Sequence, residues 1–148
     1  MKINASSIKY IQWRDPQGLH EDTTGCISEL RFAKDELQFL DDLMKSHTLD
    51  LLSTINFDES RALASEISMK EKLLGPLMKK LIAHANLLQT LVDDIEVAGE
   101  TEDYKNAHYK LMFEAAEYLA KFRKLKRKVF SLIKSILMDK KKRKLLNP

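Results

Sequence analysis

Four histidines and one cysteine are the side chains of this sequence best suited to hold a metal or move a proton near neutral pH. Helical proteins that bind paired metals place a carboxylate three residues before a His, so that both ligands share one face. None of His20, His47, His84 and His108 has an acid at that spacing. His84 and His108 do fall on the apolar seams of two successive predicted helices. A turn centred at position 100, set by the stop at Gly99, pairs position 84 with about 116, which leaves the two rings about 12 Å apart along the axis. The expectation is that they share no metal and that each bonds locally.

Glu29 and Glu36 are the other pair that could divide acid and base roles. Seven residues of helix separate them by about 10.5 Å, too far for strong coupling. Salt bridges to lysines of another helix, such as Lys70, Lys79 or Lys80, are the expected use. Cys26 is the single cysteine, so neither an intramolecular disulfide nor a multi-cysteine metal site is available. It reads as a small residue near a helix start. No serine or cysteine stands in a nucleophile motif, and no glycine motif for phosphate is present. The sequence therefore points to a noncatalytic protein without a cofactor, and no small-molecule substrate is evident.

Charge supplies a stronger lead. The net charge is +3, yet residues 121 to 144 hold twelve Lys or Arg against Asp139 alone, while residues 1 to 120 carry 13 basic and 21 acidic groups. Lys121, Arg123, Lys124, Lys126, Arg127 and Lys128 avoid the seam positions Phe122, Leu125 and Val129, and Lys140, Lys141, Lys142, Arg143 and Lys144 follow. A helix so built can pack and display cations together. DNA or RNA could meet that face through phosphate contacts, without base specificity. The acidic upstream half could equally neutralise it. Between the two basic clusters, Val129 to Met138 is apolar around most of the helix. Phe130, Ile133 and Leu137 there could dock a partner protein, or rest on an anionic membrane surface; ten residues cannot span a bilayer.

The elements that must carry these groups are helices. Four Gly and three Pro among 148 residues, with abundant Leu, Lys, Glu and Ala, favour long helices over strands and tight turns. Hydrophobic residues at 44% supply one domain's core. Residues 1–25 lack helical periodicity and include the turn signal Asp15-Pro16-Gln17-Gly18, so they read as an arm. Its Ile8, Tyr10, Ile11 and Trp13 would lie against the bundle. A first helix is predicted over about 27–45, with Thr24 as its cap. It carries one stripe of Ile27, Leu30, Ala33, Leu37, Leu40 and Met44 and a second of Phe32, Phe39 and Leu43, which implies two neighbours. Thr48 to Thr54 reads as one more short helical piece.

The second helix starts after Asn56, with Glu59 at capping-box spacing. Leu63, Ile67, Lys70, Leu74, Leu77, Leu81, His84, Leu88, Leu91 and Ile95 then follow coiled-coil steps of four and three. The seam keeps its phase through Gly75-Pro76, which favours one kinked helix over two. After a cap at Thr101 the third helix runs to about 138 along Tyr104, His108, Leu111, Ala115, Tyr118, Phe122, Leu125, Val129, Leu132 and Ile136. The predicted architecture is an all-α antiparallel three-helix bundle over 26–139, or four helices if Gly75-Pro76 breaks the second. A nonhelical arm precedes it and a basic tail, 140–148, follows. With no secretory leader and no membrane-length apolar run in the sequence, the expected location is cytoplasmic. The expected role is an interaction or scaffold module whose partner is another protein or a second copy, with nucleic acid and an anionic membrane surface as alternatives.

Overall fold

A computed structural model describes residues 15–52, 56–93 and 101–146, with side chains from 103 onward in the last segment. Among the described residues the fold is all-α: α1 (Pro16–Ser46), α2 (Thr48–Leu51), α3 (Phe57–Asp93) and α4 (Thr101–Leu146). The predicted arm residues before 15, Trp13 included, lie outside the described residues, as does Ile95.

Helix α1 starts eleven residues earlier than the periodicity suggests. Asp15 and Pro16 make its cap instead of a turn: the Gly18 N–H donates to Asp15 Oδ1 at 2.9 Å, and the Leu19 N–H to the Asp15 carbonyl at 3.1 Å. Pro16 takes the first helical position, where a missing N–H costs nothing and the fixed φ suits the helix. Thr24, expected as the cap, is interior, and its hydroxyl donates to the Glu21 carbonyl. Helix α3 is continuous through Pro76, as the unbroken seam phase implied. Helix α4 extends to Leu146, so residues 140–146 are the exposed end of a helix where a tail was expected.

The chain divides into two compact units, Met1–Ala33 with Leu73–Ala120, and Lys34–Lys72 with Lys121–Pro148. In the first unit α3 runs against α4: Lys80 pairs with Glu114 and His84 with His108, so one number rises as the other falls. Its core takes Leu19, Leu30, Leu81, Leu88 and Met112, each fully buried. Burial of one such side chain is worth roughly 2 kcal/mol.

In the second unit α1 and α4 run in the same direction, since Glu36 meets Lys126 and Phe39 meets Phe130. On its other side α4 meets α3 through Lys128 and Glu66. Packed on both flanks, α4 buries adjacent positions, Leu132 with Ile133, beside Leu125, Val129 and Ile136. The short α2 is tied to α3 by the Ser60 hydroxyl, within 3.3 Å of the Leu51 carbonyl.

The seam predictions agree closely with burial. All six residues of the first α1 stripe and all ten of the α4 seam are buried. On α3, Lys70 and Leu91 are half-buried. The second α1 stripe is different: Phe32 and Phe39 are exposed and Leu43 half-buried, so the second neighbour it implied is not supplied by the described chain.

Candidate interaction surface

The two seam histidines meet, against the sequence expectation. In the first unit His84 Nε2 lies 2.9 Å from His108 Nδ1, with ring centroids 5.0 Å apart. The error was one of register. The pair 84 with 108 is centred on position 96, and the pair 80 with 114 on position 97, not on 100. Pairing distance doubles that offset, which accounts for the missing 12 Å or so.

The protons are assigned from the hydrogen bonds around the pair. Thr23 Oγ1 donates its one hydrogen to the Leu19 carbonyl at 2.8 Å, so towards His108 Nδ1, at 3.4 Å, it can act only as acceptor. His108 therefore carries its proton on Nδ1, donating mainly to His84 Nε2 and more weakly to Thr23. His84 is the acceptor in its neutral form. A proton on His84 Nε2 would face another donor, and burial separately holds the His84 pKa below 6.5. The folded state thus takes up a proton less readily than the unfolded chain, and stability increases with pH where the two differ. We expect stability to be complete above pH 6.5 and to fall as the pH drops below it, with a slope of at most about 1.4 kcal/mol per unit for one proton. Denaturant titrations at pH 7 and 5.5 on the wild type and a His84→Leu/His108→Leu variant measure this. The variant should lose that part of the slope, and equal slopes would refute the assignment.

Among the described residues no group of three or more His, Cys, Asp or Glu is placed to hold a metal ion. Cys26 is buried, and its thiol is pushed up to about 12, first by burial and then by the charge of Glu29. Such a thiol is unreactive at neutral pH. Glu36 is bonded at 2.7 Å by Lys126 of α4 rather than by a lysine of α3, and Lys80 instead pairs with Glu114. A cleft lined by Leu49, Asp50, Asn56, Asp139, Lys140 and Arg143 offers about 100 Å³. Small-molecule pockets begin at roughly 300 Å³.

The predicted cationic surface divides. Lys126 is held by Glu36 and sits 5.5 Å from the Phe122 ring centroid, Lys128 reaches Glu66 at 3.5 Å, and Lys140 bonds Asp50 at 2.7 Å. These three serve the fold. Lys121, Arg123, Lys124, Arg127, Lys141, Lys142, Arg143 and Lys144 are exposed on α4. Of the predicted apolar docking residues, Phe130 and Leu137 are 44% and 49% exposed, whereas Ile133, at 4%, belongs to the core. Ile133 follows Leu132 on the flank that α4 turns inward, which a single seven-residue seam does not reveal.

Phe130 has a neighbour that the α4 sequence alone could not identify. Phe39 of α1, 55% exposed, lies with its ring centroid 6.4 Å from that of Phe130, and Leu43 follows one turn later. Phe39 and Leu43 of the second α1 stripe and Phe130 and Leu137 of the α4 block thus form one apolar face of the second unit. The half-buried Glu36–Lys126 pair joins the two helices beside it. Two parallel helices fix this face, so its side chains need little ordering on contact. Among the described residues no helix is long and apolar enough to cross a membrane. Compared with protein-family models, curated proteins and solved structures, the chain matches none of them.

Proposed function

We propose that this chain is a noncatalytic protein-interaction module that binds through the α1/α4 face of its second unit. The supporting observation is the contact of Phe39 with Phe130, two aromatic rings about half exposed on rigid helices, with Leu43 and Leu137 alongside. Aromatic residues, Phe included, are enriched at protein interfaces, and clustered exposed apolar groups mark such sites. The cations Arg123, Arg127 and Lys141, exposed on the same helix, steer the encounter and define its orientation. Neutralisation of Lys126, Lys128 and Lys140 within the fold weighs against a surface devoted to phosphate backbones, because three of the eleven cations proposed for it are already engaged.

The test is affinity capture from the native cell with the wild type and a Phe39→Ser/Phe130→Ser variant. Washing at about 1 M salt, where the screening length falls to about 3 Å, removes partners held by charge alone. A protein retained in fixed proportion by the wild type and lost from the variant is expected. Identical retention by both would refute the reading, as would a nucleic acid released by the salt wash as the sole bound species.

A further inference from the structure

The charges that border the apolar face are arranged in a definite order. With 100° per residue, Asp35 and Asp42 fall on the flank of Phe39 turned away from α4, and Arg127 and Lys134 fall on the flank of Phe130 turned away from α1. Across the face the order is acid, apolar, apolar, base. Asp35, Arg127 and Lys134 form no ion pair among the described residues, and Asp42 accepts a hydrogen bond from Gln38 and feels the charge of Lys45, whose closest partner is Asp41 at 2.7 Å. The acids are seven residues apart, and so are the bases. The contacts of Glu36 with Lys126 and Phe39 with Phe130 set an offset of about 90 residues between the helices. Asp35 therefore lies nearly level with Arg127, and Asp42 nearly level with Lys134, within about 2–3 Å along the axis.

A surface ordered in this way complements itself. We infer that the partner on this face is a second copy of the chain, related by a two-fold axis parallel to α1 and α4. That rotation sets α1 of one protomer over α4 of the other at the same height. Asp35 then meets the other copy's Arg127, Asp42 meets its Lys134, and Phe39 packs on its Phe130, with every contact made twice. A two-fold axis across the helices would instead bring acids to acids and bases to bases, so the charge order selects one dimer over the other. This inference rests on the proposal that the face binds protein, and it names the protein.

Charge reversal tests the arrangement. Sedimentation equilibrium from about 1 µM to about 300 µM should show wild-type chains passing from monomer to dimer, the range suited to a small interface. Asp35→Lys/Asp42→Lys should remain monomeric, since the two introduced lysines of each copy would face Arg127 and Lys134 of the other at both equivalent contacts. Arg127→Glu/Lys134→Glu should remain monomeric for the mirror reason. Mixed in equal amounts, the two variants should form a heterodimer, because every contact is again between opposite charges. All four positions are on exposed helix surface, and circular dichroism checks each variant's fold; recovery in the mixture is itself something a misfolded chain could not give. A wild type that stays monomeric to the highest concentration would overturn the inference, as would reversal variants that dimerise alone or a mixture that stays monomeric. If the wild type is monomeric yet a different protein is captured in a Phe39- and Phe130-dependent way, the second copy is wrong and the interaction face stands.

Discussion

Replacing Gly75-Pro76 by Ala-Ala is expected to stabilise the chain by about 2–3 kcal/mol, raising its melting temperature by about 5 °C or more. Pro76 lies inside α3, where its ring leaves the carbonyl of Lys72 without the N–H four residues on and crowds it. Proline costs about 3 kcal/mol relative to alanine in a helix interior, and glycine about 1. Part of this gain is offset, since removing Pro frees the unfolded chain by somewhat under 1 kcal/mol. Both residues are exposed, and a Cβ at Gly75 meets nothing within 4 Å, so the substitutions lose no packing. Thermal and urea unfolding measure the gain. An unchanged or lower stability would mean that the local backbone has a use for the break that helix propensity does not describe.

The opposite sign is expected at Leu81. This side chain is fully buried in the first unit, one turn before His84 on the same seam. Leu81→Ala removes the transfer energy of its methyl groups and leaves a cavity that helices fixed by neighbouring side chains cannot fully close, a loss of about 3–5 kcal/mol. Ile82→Ala is the internal control: the neighbouring residue is 40% exposed and points off the seam, so its loss should stay below about 1 kcal/mol. Similar losses at 81 and 82 would show that the seam does not carry the stability assigned to it.

Much of this fold was legible because helical periodicity reports burial directly. The α4 seam needed no correction, and the seam of α3 kept its phase through a dipeptide that by local propensity should have ended the helix. Signals with two meanings were less informative. Asp15-Pro16 serves a turn and a helix start equally well, because both exploit the fixed φ of Pro and the hydrogen-bonding carboxylate of Asp. Only the bond from the Gly18 N–H selects the cap. Basic residues near the end of a chain likewise favour neither helix nor tail on charge alone.

The site depended on relations that one helix's sequence does not contain. A displacement of the pairing centre by four positions is enough to part His84 from His108 in the sequence reading, although the structure puts them in hydrogen-bond contact. The pairing of Phe39 with Phe130 joins residues ninety-one positions apart. In the sequence each stands alone, Phe39 in an apolar stripe without an assigned neighbour and Phe130 in an apolar block that could dock a partner. What was missing was the parallel alignment of α1 with α4 that makes them a single face. The basic cluster was visible as a cluster, but which cations the acidic half would take, Lys126, Lys128 and Lys140, is a matter of tertiary contact.

The claim on which the functional account depends is that the Phe39 and Phe130 face is occupied by protein in the cell. A photoreactive phenylalanine analogue placed at position 130, with a second chain carrying it at the exposed position 124 as control, tests this by irradiation of living cells. The account predicts a discrete protein adduct from position 130, whether with this chain or another, and little or none from 124. Equal adducts from both positions, or no protein adduct from 130, would contradict it.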